Sequence, residues 1–169
     1  MFTFYKKHNG QLYNNLVNLS RNKFFYQEVC LEDKIETRVL LIFFHFALIL
    51  RSTKNKNKEK EKETQDVFDN VFQNIEYNFR EMGHGDVAVN KKMKSLTRIF
   101  YDVLVNLDKN DSILTDNNHY FLKKYFFDEE KKGTANIDKL SDYFSKFQNF
   151  CFDLDVKNML NGSFNFIYR

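Results

Sequence analysis

The stretch TQDVFDNVFQNIEYNFREM, residues 64–82, decides the fold class. Its apolar residues Val67, Val71, Ile75 and Phe79 stand four apart, with Phe68 and Phe72 beside them and polar residues between. On a helix all six form a single stripe, whereas on a strand Phe68 and Phe72 would point to the face opposite the other four. The spacing predicts an amphipathic helix that buries one side. Gly83 is its expected stop, because the residue just past a helix often adopts the left-handed conformation that a Cβ disfavours.

Reading outward, Asn90 is a candidate N-cap for a following helix that carries Met93, Leu96, Phe100, Val103 and Leu107 toward a core. On the other side, STKNKNKEKEKE at residues 52–63 has no apolar residue and reads as a solvated linker or a frayed helix end. Before it, VLLIFFHFALIL at residues 39–50 is apolar all round. It is shorter than the roughly 20 residues a membrane-spanning helix needs, so a helix in the middle of a bundle is predicted, entered at Asp33 as N-cap and running to about residue 51. Residues 11–28 mix Leu12, Tyr13, Leu16, Val17, Phe24 and Phe25 with polar positions as one opening helix.

In the C-terminal third a helix is predicted over residues 116–128, broken at Gly133. A last helix follows from Asn136 with Ile137, Leu140, Phe144, Phe147, Cys151 and Leu154 at steps of three and four, and stops at Asn161 and Gly162. The tail SFNFIYR is either tucked on the body or extended. The whole predicts an all-α, single-domain bundle of about six helices. Residues 1–10 form a leading segment, 11–162 the domain with the charged linker 52–63 inside it, and 163–169 a tail.

Composition agrees. The 169 residues are 43% hydrophobic and 29% charged, enough apolar content to offset chain entropy in one domain. There is no proline to interrupt a helix, and the 20 Phe and 9 Tyr, with dense Lys and Asn, follow AT-rich coding. A formal charge of +3 permits an anionic partner without predicting one, and no specific nucleic-acid arm emerges from a linker whose lysines alternate with glutamates. Cys30 and Cys151 form no metal-binding spacing and read as reduced, which points to a reducing compartment. The opening MFTFYKKHNG resembles neither a secretory signal nor a transit peptide.

Catalytic patterns do not appear. His8, His45, His84 and His119 lie in four different segments, and no nucleophile elbow, phosphate loop or dinucleotide fingerprint is present, so no enzyme, metal, cofactor or small-molecule substrate is expected. His45, inside the apolar run, reads as a core histidine hydrogen-bonded to a neighbour. The stretch with most chemistry is FREMGHGDVAVNKKMK, residues 79–94, where Arg80, Glu81, Asp86 and three lysines surround a two-glycine turn. Arg80 and Asp86 are expected to brace the turn as an ion pair. A rigid polar loop on a scaffold also has the character of a recognition surface.

In FDNVFQNIEYNFREMGHGDVAVNKKMK, residues 68–94, the sequence resembles the ubiquinol-cytochrome c chaperone family, whose hallmark is a helix ending LREMGVGD before a basic helix. Phe68, Asp69, Phe72, Arg80, Glu81, Met82, Gly83, Gly85, Asp86, Val89 and Lys94 match it. Upstream, LYNNLVNLSRNKFFY at residues 12–26 is similar to the family's opening helix, and Asp33, Arg38 and His45 fall on its DxxxGR and following His. The resemblance weakens through Phe100, Tyr101, Asn118 and Tyr120. Leu31, Glu32 and Asp33 stand for the family's VPD, Thr37 for its glycine before Arg38, and His84 for the middle of GVGD.

The resemblance implies an assembly chaperone that binds newly made cytochrome b and passes it to the bc1 complex. It implies a cytoplasmic protein peripheral to the inner membrane in a bacterium, or one in the mitochondrial matrix of a eukaryote, where relatives also associate with the ribosome. On this reading Arg80, Glu81, Met82, Gly83, Gly85, Asp86, Lys91, Lys92 and Lys94 would hold the client, with Arg38 and His45 structural or binding. A helical carrier of lipid or quinone is the alternative, favoured by the Phe-rich interior.

Overall fold

The computed structural model describes residues 10–56, 61–110, 113–114, 119–127 and 136–169. Among these the secondary structure is entirely helical, in eight segments: α1 Gln11–Ser20, α2 Lys23–Gln27, α3 Ile35–Lys56, α4 Glu61–Glu81, α5 Asp86–Lys109, α6 Tyr120–Phe126, α7 Ile137–Asp153 and α8 Val156–Asn161. The all-α bundle expected from periodicity is present, with more and shorter segments than six.

The two additional segments come from side-chain caps inside runs that look continuous in sequence. The expected opening helix breaks after Ser20, where the Asn22 carboxamide accepts a bond of 3.0 Å from the Phe24 amide and starts α2 in a new direction. That turn lets both Phe24 and Phe25 reach the core. The last helix breaks likewise at Leu154, and Asp155 caps α8 by accepting from the Asn158 amide at 3.3 Å.

Three other boundaries move. Asn90, expected as an N-cap, lies inside α5, which begins at Asp86 with the Gly85 carbonyl accepting from Val89 at 2.9 Å. An acidic residue in the first turn suits the positive end of the helix dipole. Asp33, expected to cap α3, lies two residues before Ile35 and gives its carboxylate to Arg38. Of the charged segment, residues 52–56 continue α3 and 61–63 begin α4, and Ser52 and Thr53 are buried; residues 57–60 lie outside the described ones. In the expected 116–128 helix, α6 covers 120–126, while 116–118, 128 and Gly133 lie outside the described residues.

α3 crosses the middle and packs on α1, α5, α6, α7 and α8. Its residues 41–53 are buried without interruption, because α3 has neighbours on every side. Phe43 and Phe46 meet Phe68, Phe72 and Phe100 of α4 and α5, with Phe43 and Phe100 centroids 5.3 Å apart. Phe44 and His45 face the opposite side, toward Phe25, Phe121, Phe126 and Phe144. Burying each such ring contributes roughly 1.5–3 kcal/mol, so this helix is where the fold is held. Of the described phenylalanines only Phe152 is exposed.

The tail is both extended and tucked. Phe164, Phe166 and Tyr168 alternate inward and pack on Phe147, Phe150, Tyr143 and Phe24, while Asn15 of α1 donates to the carbonyls of Gly162 at 3.1 Å and Phe164 at 2.8 Å. No helix among the described residues is long and apolar enough to cross a membrane.

Candidate functional site

The turn between α4 and α5 is built from its backbone outward. Phe79 accepts from the His84 amide at 3.3 Å and Arg80 from the Gly83 amide at 3.0 Å, the paired bonds of a helix end closed by a left-handed residue. That residue is Gly83, with φ +87°. The apolar contact that accompanies this closure runs between the His84 and Phe79 rings, 6.0 Å apart and edge-on. His84 thus packs its ring on the last turn of α4.

Across this turn Arg80 joins two carboxylates. It donates to Glu76 one turn back at 2.8 Å and also to Asp86 at the start of α5. These bonds, Glu76 first and Asp86 second, raise the guanidinium pKa above its ordinary value. The ion pair expected from sequence is present. Glu81 is tied back to Tyr77, whose hydroxyl donates to it and has its pKa raised by that bond.

The turn is exposed from Glu81 through Ala88, with Met82 54% and Val87 85% exposed. The predicted cluster therefore comes together: Arg80, Glu81, Met82, Gly83, Gly85 and Asp86 make one rigid projecting corner. The lysines divide. Lys92 lies over the Phe79 ring at 4.6 Å and reaches Glu36 of α3 at 3.3 Å, which makes it a brace between helices. Lys91 and Lys94 point to solvent.

Arg38 and His45 stand apart from that corner in their roles. Arg38 grips Asp33 with bonds of 2.8 and 3.0 Å and fixes the entry to α3. His45 is wholly buried: its Nδ1–H donates to the Leu41 carbonyl at 2.6 Å, and its Nε2 accepts from the Tyr143 hydroxyl at 2.8 Å. Burial lowers its pKa to about 4, so it is neutral at physiological pH. It is the hydrogen-bonded core histidine the sequence suggests. Cys151 is likewise buried, its thiol pushed up to about 12, and Cys30 is free and exposed. Among the described residues no group of His, Cys, Asp and Glu is arranged to hold a metal.

Two contacts are not legible from spacing. His119 pairs with Asp138 at 2.8 Å and links the start of α6 to α7, a partnership set by tertiary packing alone. The outer face of α5 also continues beyond Lys94 to Arg98, Tyr101, Val105 and Lys109, all exposed. Helical spacing from Asn90 onward carries the signal for this line.

The fold is similar to the crystal structure of a Cbp3 homolog from Brucella abortus, with a TM-score of 0.71 and 22% identity over 94% of this chain and 87% of that one. No curated protein matches the sequence significantly. The family model described as ubiquinol-cytochrome C chaperone matches residues 27–166, which takes in the braced turn and every helix after α2. This chain belongs to the ubiquinol-cytochrome C chaperone family.

Proposed function

We propose that this protein is an assembly chaperone of the cytochrome bc1 complex that binds newly made cytochrome b through the α4–α5 corner. The observation that carries the reading is the corner itself: within the residues matched by the family model, half-buried Arg80 and exposed Glu81 and Asp86 are each held by neighbours. A charged corner fixed by its own helix ends needs no reordering when a partner arrives, which lowers the entropic cost of binding. Met82 offers an adaptable apolar contact beside the charges.

The role is non-catalytic on this reading, and the protein works at the surface of the membrane that receives its client. The carrier alternative is weakened by the core, where Phe43, Phe44, Phe46, Phe100, Phe144 and Phe147 occupy the space between the helices. A cleft of about 650 Å³ is open and polar at its rim, with Asp66, Asp69, Asn70 and Gln73. Affinity capture from detergent-solubilised membranes tests the client: cytochrome b should co-purify, and a deletion strain should lose assembled bc1 complex. Normal bc1 levels in that strain would end the reading.

A further inference from the structure

α5 presents a line of side chains to solvent that begins beside the corner and, past Lys94, runs beyond the candidate client residues. Val87, Lys91, Lys94, Arg98, Tyr101, Val105 and Lys109 recur at steps of three and four and fall within about 40° of one line along the helix. Val87, Tyr101 and Val105 are 85%, 50% and 45% exposed. The line runs about 33 Å and contains four cations and no acid.

The charges on it are uncompensated by design of the surrounding contacts. All three acidic residues of α5 are occupied by cations from other segments: Asp86 by Arg80, Asp102 by Lys124 at 2.5 Å and Asp108 by Lys54 at 2.9 Å. Lys91, Lys94, Arg98 and Lys109 have no ion-pair partner among the described residues. Beside Lys94 and Arg98 lies a trough of about 570 Å³, completed by Asn90, Met93 and Thr97.

We propose that this face of α5 docks lengthwise on an anionic lipid bilayer. A straight line of cations matches a flat negative surface, and the trough between Lys94 and Arg98 has room for a phosphate headgroup. Interleaved aliphatic side chains gain nothing from a sugar-phosphate backbone but do gain from the headgroup layer, where an amphipathic Tyr ring is also favoured. A single tyrosine is no stacking platform for bases, which argues against RNA. The inference refines the membrane-surface placement of the proposed chaperone, yet the docking itself requires no client.

The purified protein, sedimented with vesicles, provides the test. It should bind phosphatidylcholine vesicles containing phosphatidylglycerol and not vesicles of phosphatidylcholine alone. Arg98→Ala/Lys109→Ala, outside the client corner, should lower partitioning about 30-fold at the usual weight of a basic residue near such a surface, with an unchanged melting temperature. Lys23→Ala/Lys157→Ala, which removes the same charge from α2 and α8, should bind as the wild type does. Equal binding to both vesicle types, equal loss in both variants, or loss only of RNA binding in the α5 variant would each overturn the proposal. Capture of cytochrome b from detergent extract reports separately: the α5 variant keeps it, and its failure in the wild type would strike the client reading alone.

Discussion

Tyr143 of α7 donates a hydrogen bond of 2.8 Å to Nε2 of His45 on α3, and both side chains are fully buried. Because Nδ1 already donates to the Leu41 carbonyl, the tautomer is fixed and Nε2 can only accept. Tyr143→Phe would leave that acceptor unpaired in the core. We expect a loss of roughly 1–3 kcal/mol in urea unfolding, and a smaller added loss when the same change is made in a His45→Leu background. Strict additivity of the two changes would show that the bond contributes nothing.

The same pair sets a pH dependence. Folded His45 stays neutral down to about pH 4, while in the unfolded chain it titrates near 6.5. Between these values the unfolded state binds the additional proton, so this contribution is complete above about pH 6.5 and declines as pH falls toward 4. The loss from this one buried group approaches roughly 3 kcal/mol. The wild type should therefore lose more stability than His45→Leu on acidification through that window. Parallel curves would refute the assignment.

How far the fold could be read in advance depended on whether a segment's fate was set by its own pattern. α4 and α3 were legible because a stripe of Val67, Val71, Ile75 and Phe79, or an all-apolar run, has one economical solution. The breaks at Asn22 and Asp155 were hidden since an Asn or Asp inside an amphipathic run becomes a cap only when the chain beyond it has somewhere else to pack. Ser52 and Thr53 look like linker residues, yet they are buried where α3 passes beneath its neighbours, with Thr53 donating to the Ile49 carbonyl at 2.9 Å. At the candidate site the Arg80–Asp86 bridge was legible because it spans one turn. The use of Lys92 as a brace was not, because Glu36 is far away in sequence.

Two glycines with positive φ should respond differently to alanine. At Gly83, φ is +87° and a Cβ would meet nothing within 4 Å, so Gly83→Ala carries only the backbone penalty of about 1–2 kcal/mol. At Gly162, φ is +70° and a Cβ would lie 2.5 Å from Leu12 Cα and 2.6 Å from its nitrogen. That clash is with backbone at the start of α1, which no rotamer change relieves. Gly162→Ala should therefore lower the melting temperature markedly more than Gly83→Ala, and equal shifts would contradict the close approach of α8 to α1.

Arg80 and Asp86 separate a brace from a binding surface. Arg80 is one-third exposed and Asp86 82% exposed, so their bridge is screened by water and contributes little to stability. If the corner contacts the client, Arg80→Ala or Asp86→Ala removes a charge that the partner was shaped to meet and leaves its counterpart unpaired. Capture of cytochrome b should then weaken by about tenfold or more while the melting temperature moves little. Glu76→Gln supplies the contrast, since it loosens Arg80 on the α4 side yet preserves the bridge to Asp86. It should shift stability as much as the other two changes and capture far less. Should all three variants behave alike, with capture intact and only the melting temperature lowered, the corner serves to join α4 to α5, and the client must be held elsewhere.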